Sequence, residues 1–284
     1  MLRHMEILPI VRLAHHFGGA YSADMIFSFL KVPTNRQDFD LQVNELIRSG
    51  LIVEQDGYIF DKSQAFLTES ILQKRDFSFA LFRRYHLFLK LVWFIPWIQF
   101  IGLTGSNSFE NCDESDDLDL FIVTSPKRIW ICNFIVFILK SMIGKRLMIN
   151  DNFYIESQQL SIRHKSYYSA IQLLQMIPVS VNRFTDNLID FNPWLASELP
   201  NIKLKMNIKD KYVLFNQNKT DRIFFKPFDW LNKILFNLYQ RKKRREGLPT
   251  SAETIFIRED YAKLHRYQFH TDYDHFFVKE NINA

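Results

Sequence analysis

Apolar positions recur at helical spacing through the first sixty residues, and turn residues cut the pattern into pieces. Met5 to Phe17 reads as one helix, stopped by Gly18-Gly19. Ser22 is placed to cap a second, Ala23 to Leu30. Thr34 or Asn35 is placed to cap a third, whose apolar positions Phe39, Val43, Leu46 and Ile47 lead to a stop at Gly50. Leu51 to Phe60 then forms two short runs around Asp56-Gly57, a two-residue hairpin signal. Three helices and a hairpin predict a winged helix-turn-helix over residues 1–62.

Residues 63–96 predict a linking helix. From 97 to 180 the pattern alternates: strand (97–104), helix (106–112), strand (118–124), helix (127–143), strand (147–156). The last third, 181–284, is broken at Asn192-Pro193 and Leu199-Pro200. It resumes as a long amphipathic helix from Phe228 to about Arg245. There Trp230, Leu231, Ile234, Leu235 and Leu238 are expected to form one buried stripe. Lys233, Asn237, Arg241 and Arg244 lie on the opposite face. This region is expected to be mainly helical and to cover a cleft in the core. The whole reads as an α+β chain with a short mixed sheet.

Composition changes this picture in three places. Net charge is +5, but residues 1–62 hold 6 Lys+Arg against 8 Asp+Glu, and residues 181–284 hold 18 against 13. Phosphate neutralisation dominates DNA affinity, so the acidic N-terminal module favours a structural or protein-contact role. The basic run Arg241–Arg245 has little aromatic interleaving, and a solvated helix end favoured by the helix dipole is preferred over nucleic acid. Cys112 and Cys132 give no disulfide framework, so a cytoplasmic location is expected. The first residues lack the apolar core of a signal peptide. His86–Leu103 and Ile129–Ile143 fall short of the ~20 apolar residues a spanning helix needs. Both are expected to be buried core elements, with no integral membrane segment; association with a membrane surface stays open. His265, His270 and His275 have no recognised ligand spacing and read as surface or structural residues.

The chemistry concentrates between two strand-like runs. Trp97 to Leu103 leads into Gly105-Ser106; ten residues later Asp117-Leu118-Asp119 opens Leu120-Phe121-Ile122-Val123. Residues two apart on a strand share a face, so Asp117 and Asp119 project together and repel. Magnesium relieves such repulsion, and it favours a few carboxylates plus phosphate oxygens. Gly105 permits close backbone approach, and Ser106 opens a helix whose amides suit an anion. Asn107 can donate a further hydrogen bond. The bland alternatives are a solvated acidic turn, crowded by Glu110, Asp113, Glu114 and Asp116, and an ordinary strand-to-helix turn.

Gly-Ser, a ten-residue spacer and Asp-apolar-Asp on a strand make the chain resemble the nucleotidyltransferase superfamily, the polymerase-beta-like fold. With its winged-helix-like N-terminus and the continuation Phe121 to Trp130, it looks like a group of bacterial nucleotidyltransferase-domain proteins. The likeness covers residues 1 to about 180. It implies a nucleotidyltransferase core at 97–180, flanked by a winged helix and a C-terminal helical region. It also implies Mg²⁺ on Asp117 and Asp119, an NTP on Gly105, Ser106, Asn107 and Arg128, and transfer of a nucleoside monophosphate to an unidentified acceptor. Fully equipped relatives add a third carboxylate from a later strand. Asp151 is chosen here, because a buried row Ile149, Phe153, Ile155 would carry it towards the cleft, with Glu156 on the other face. For Arg128 the solvated-residue alternative is favoured. The competing functional readings are a catalytically inactive nucleotide- or partner-binding regulator, and nucleic-acid action through the basic C-terminal third. The oligomeric state is not legible in the sequence.

Overall fold

A computed structural model describes residues 6–144, 148–202, 205–219, 226–247 and 255–264, together with Tyr273. His265, His270 and His275 lie outside the described residues. Helices α1 (Ile7–His16), α2 (Ala23–Phe29) and α3 (Arg36–Arg48) precede a hairpin of β1 (Ile52–Gln55) and β2 (Tyr58–Asp61). The caps are those the sequence offers: Ser22 Oγ accepts from the Met25 amide at 3.3 Å, and Asn35 Oδ1 from the Asp38 amide at 2.8 Å. Asp56 and Gly57 both take positive φ, 50° and 80°, as a tight two-residue turn requires. Arg36 on α3 is paired with Asp24 and Asp40, so this cation is already neutralised within the module.

After a 3₁₀ turn at Lys62–Leu67, α4 (Thr68–Phe94) runs into a mixed sheet. Its elements are β3 (Ile98–Leu103), β4 (Leu118–Thr124), α5 (Ile129–Met142), β5 (Ile149–Glu156), α6 (Tyr167–Gln175) and β6 (Ile177–Pro178). α7 (Arg183–Asp190), α8 (Leu195–Glu198) and α9 (Lys226–Arg245) follow, then β7 (Ile255–Ile257) and β8 (Tyr261–Leu264). Among the described residues the strand order is β6-β3-β4-β5-β8-β7. Among the named strands of the described residues, only β4 and β5 pair in parallel, joined through α5. The architecture is α+β.

The alternating strand positions feed two cores. Leu118, Leu120, Ile122, Ile149 and Tyr154 pack with α4 and α5 on one face. Phe100, Phe121, Val123 and Ile155 pack on the other with α6 and the N-terminal module. The N-terminal module is therefore part of the main core. Tyr167 Oη donates to the Phe29 carbonyl at 2.6 Å, and Asn111 Nδ2 to the Phe17 carbonyl at 2.9 Å. The C-terminal third, expected to cover a cleft in the core, shares this face with α1, α2 and α6: Phe184, Leu188, Leu195 and Tyr261 pack there, and Leu235, Leu238 and Tyr239 of α9 border the cavity beside β4.

Helix α9 forms where periodicity places it but is rotated about its axis. Trp230 is 68% exposed and Leu238 55%, whereas Asn232 is buried and Leu235, Phe236 and Tyr239 pack on the α5 side. The reason lies in α5, whose N-cap residue Arg128 makes no side-chain cap. Asn232 Oδ1 supplies the missing acceptor, taking the Trp130 and Ile131 amides at 2.9 and 3.2 Å. Polar Asn232 must therefore face inward, and Trp230, Leu231 and Leu238 of the expected stripe turn outward, while Leu235 stays packed. Asn232→Ala leaves two buried amides unpaired. A destabilisation of about 1–3 kcal/mol is expected, read as a lower midpoint in thermal unfolding.

No helix of the described residues is long and apolar enough to cross a membrane.

Candidate functional site

Strand β4 emerges from the acidic loop with Asp117 and Asp119 on the same side as Phe121, the side facing α6. Thr104, Gly105 and Ser106, at the end of neighbouring β3, line the same cavity of about 1710 Å³. The approach between the two segments is close. The Thr104 amide donates to the Asp119 carbonyl at 3.1 Å, and Asn107 Nδ2 to the Asp117 carbonyl at 2.8 Å. Gly105 has φ +61°, and a Cβ built there would stand 2.3 Å from Asp119 Oδ2. Only glycine satisfies both the backbone angle and this contact.

Two side chains from β5 complete the pair's surroundings. Asn152 Nδ2 donates to Asp119 Oδ1 at 2.8 Å, and Asn150 Nδ2 donates to Asp117 Oδ2. Both donors are neutral. Burial pushes the Asp119 carboxyl up to about 8, with the charge of Asp117 as the next cause. Burial also raises Asp117, with Asp116 adding to it. Two acids that resist ionisation side by side mark a place where a cation would be strongly favoured. Asn107 adds a buried side-chain oxygen, Oδ1, with no hydrogen-bond partner.

Among the described residues no third acid, histidine or cysteine converges on the pair. Asp151 lines the same cavity, but on the α5 side of β5 and not beside Asp117 and Asp119. It accepts from Asn133 Nδ2 at 3.0 Å and Tyr154 Oη at 2.6 Å, and pairs with Lys140 of α5. The cause is a register shift between Asp119 and Phe121: two residues on β4 span three on β5. That extra residue puts Ile149 and Phe153 on opposite faces, so they do not form the single row that would have carried Asp151 inward.

Glu156 is outside the cavity lining, accepting the Lys127 amide at 2.6 Å at the far end of β5. Burial raises its carboxyl to about 7. Between the ordinary glutamate value of 4.5 and about 7, the unfolded chain is ionised while the folded chain keeps its proton. This group's contribution to stability is therefore present at low pH, falls as pH rises through that window and is level above it. Glu156→Gln is expected to flatten that part of the stability–pH curve in urea titrations.

Arg128 lies at the end of β4 away from Asp119. Its guanidinium pairs with Asp229 of α9 at 2.6 Å and stands 5.7 Å from the Trp97 ring centroid. It is buried and bracing α9, not lining the cavity. The expected helix at 106–112 is a 3₁₀ turn of three residues, Gly105–Asn107. Glu110 interrupts it at φ 53°, its carboxylate held by Lys209, Lys211 and Tyr212. Ser106 consequently caps no α-helix; its Oγ accepts a weak contact from Cys112 Sγ at 3.7 Å.

Residues that the sequence reading passed over also shape the site. Besides Asn150 and Asn152 they include Gln172, whose Oε1 accepts the Gly105 amide at 3.2 Å, and Tyr168, which lines the cavity near Asp119. The alternation Asn150-Asp151-Asn152 was the available signal, since either parity could have faced Asp117 and Asp119. No family model, no curated protein and no solved structure matches this chain. What the site binds is therefore read from its chemistry alone.

Proposed function

We propose that the cavity binds a nucleoside triphosphate with a divalent cation, the cation held by Asp117 and Asp119. The observation that carries this is the buried acid pair, packed against Gly105 with neutral Asn150 and Asn152 as its donors. Two carboxylates are as many as magnesium commonly takes when phosphate oxygens supply further ligands. A divalent ion bound there would neutralise phosphate charge and favour attack in line at phosphorus. The chain's own contributions are separate. Asn150 and Asn152 orient the two carboxylates, Gln172 and Asn107 fix the 104–107 turn, and the N-terminal module limits water on that side. At about 1710 Å³ the cavity exceeds the ~300–1,000 Å³ of an ordinary small-ligand site, leaving room for an acceptor beside the nucleotide.

On this reading the protein is a nucleotidyltransferase of the polymerase-beta-like type with a winged-helix-like N-terminal module. A second reading, binding without turnover, is favoured by one observation: neutral Asn150 and Asn152 stand on β5 beside the acid pair, and the Asp151 carboxylate is engaged by Lys140 of α5. The two separate in one experiment. The chain is incubated with each α-labelled NTP, Mg²⁺ and cell extract. A labelled product that disappears with Asp117→Asn supports transfer, and nucleotide retained unchanged by the protein supports binding alone. Neither product nor retained nucleotide overturns both.

A further inference from the structure

Helices α5 and α9 lie side by side, Trp130 meeting Phe236 and Tyr239 with ring centroids 5.4 and 5.0 Å apart. Each also presents apolar side chains outward. On α5, Phe134 is 45% exposed, Ile138 40% and Met142 77%, one stripe at four-residue spacing. The other exposed positions of that helix are Phe137 and Ser141, so its outer face carries no charge. On α9, Trp230, Leu231 and Leu238 are exposed. The sequence reading expected 129–143 to be a buried core element; only its inner half is. Scattered apolar residues are ordinary on a surface, whereas adjoining stripes on two packed helices mark an interaction face.

The charge beside this face selects what it meets. α9 holds seven Lys and Arg against one Asp, and Lys233, Arg241, Arg244 and Arg245 are exposed. Asp229 is already paired with Arg128 and Lys127. Symmetric pairing of two copies through this face would bring like-charged helices together. An anionic bilayer accepts both features, taking apolar side chains and tryptophan at its interface while its headgroups attract Lys and Arg. We infer that the α5–α9 face docks the protein on the surface of an anionic membrane, with both helices lying in the interface plane. Phe134 and Leu238 also border the cavity, so a docked protein would turn one mouth of it towards the headgroups. The inference stands whatever the cavity binds.

The test uses the full chain and sedimentation with vesicles of phosphatidylcholine alone or mixed with phosphatidylserine. Pelleting with the mixed vesicles is expected, at least ~10-fold weaker in 0.5 M NaCl and on the neutral lipid. Ile138→Glu with Leu238→Glu should abolish it, and Arg241→Gln with Arg245→Gln should weaken it. These positions are exposed, and circular dichroism checks that each variant folds. Equal or absent binding on both lipids overturns the inference, as does binding that survives the glutamate pair. A dimer in light scattering that Ile138→Glu dissolves would overturn it in favour of self-association.

Discussion

Asp119→Asn is expected to make the metal-free protein more stable and to remove its response to divalent cations. With burial holding the Asp119 carboxyl at about 8 against 3.8 in the unfolded chain, the folded form binds its proton more tightly. Stability therefore falls as pH climbs from about 4 through about 8 and is lowest above that. Asparagine keeps an oxygen for the Asn152 amide but carries no charge to bury. At pH 8.5 without metal, a gain of about 1–3 kcal/mol is expected, or roughly 2–4 °C of unfolding midpoint for each kcal/mol. Adding Mg²⁺ or Mn²⁺ should raise the wild-type midpoint and leave the variant unmoved. Nucleotide affinity should drop at least ~100-fold, since even residues that only support a metal ligand cost 10–100-fold. A variant less stable than wild type without metal, yet still stabilised by Mg²⁺, would remove Asp119 from the site.

Gly105→Ala should damage the same site by a different route. A left-handed backbone costs a non-glycine residue about 1–2 kcal/mol, and here the added methyl also collides with Asp119 Oδ2. Relief requires the Asp119 carboxylate to swing away or the 104–107 turn to move from the Gln172 acceptor. Binding is expected to fall at least ~10-fold, beyond what the lost stability explains. Gly57→Ala is the matched control. That glycine also has positive φ, +80°, but its Cβ would meet open space. It should show the backbone penalty in thermal unfolding and keep its affinity for nucleotide. Equal affinities in both variants would mean the Gly105–Asp119 contact has no functional weight.

The local grammar of the chain was legible, and what depended on distant residues was not. Ser22, Asn35 and Asp56-Gly57 specify caps and a turn within a few residues of themselves, so the N-terminal elements could be drawn directly. Asp117 and Asp119 share a face because a strand repeats every two residues. Asp151 defeated the same rule because a register shift between β4 and β5 resets parity, and nothing in Asn150-Asp151-Asn152 announces it. The helix expected after Ser106 ends early because Glu110 is drawn to Lys209 and Lys211, about a hundred residues on. α9 turned Trp230, Leu231 and Leu238 outward because α5 needs the Asn232 side chain. Arg128 likewise answers to Asp229, not to its neighbours in sequence.

The most direct measurement is calorimetric titration of the wild-type chain with each of the four common nucleoside triphosphates, in Mg²⁺ and again in a chelator. With the cation held by Asp117 and Asp119, at least one nucleotide should bind, at least ~10-fold more tightly with Mg²⁺ than without. Binding of equal strength in the chelator, or no binding of any nucleotide, would contradict the assignment of this cavity to a metal–nucleotide complex.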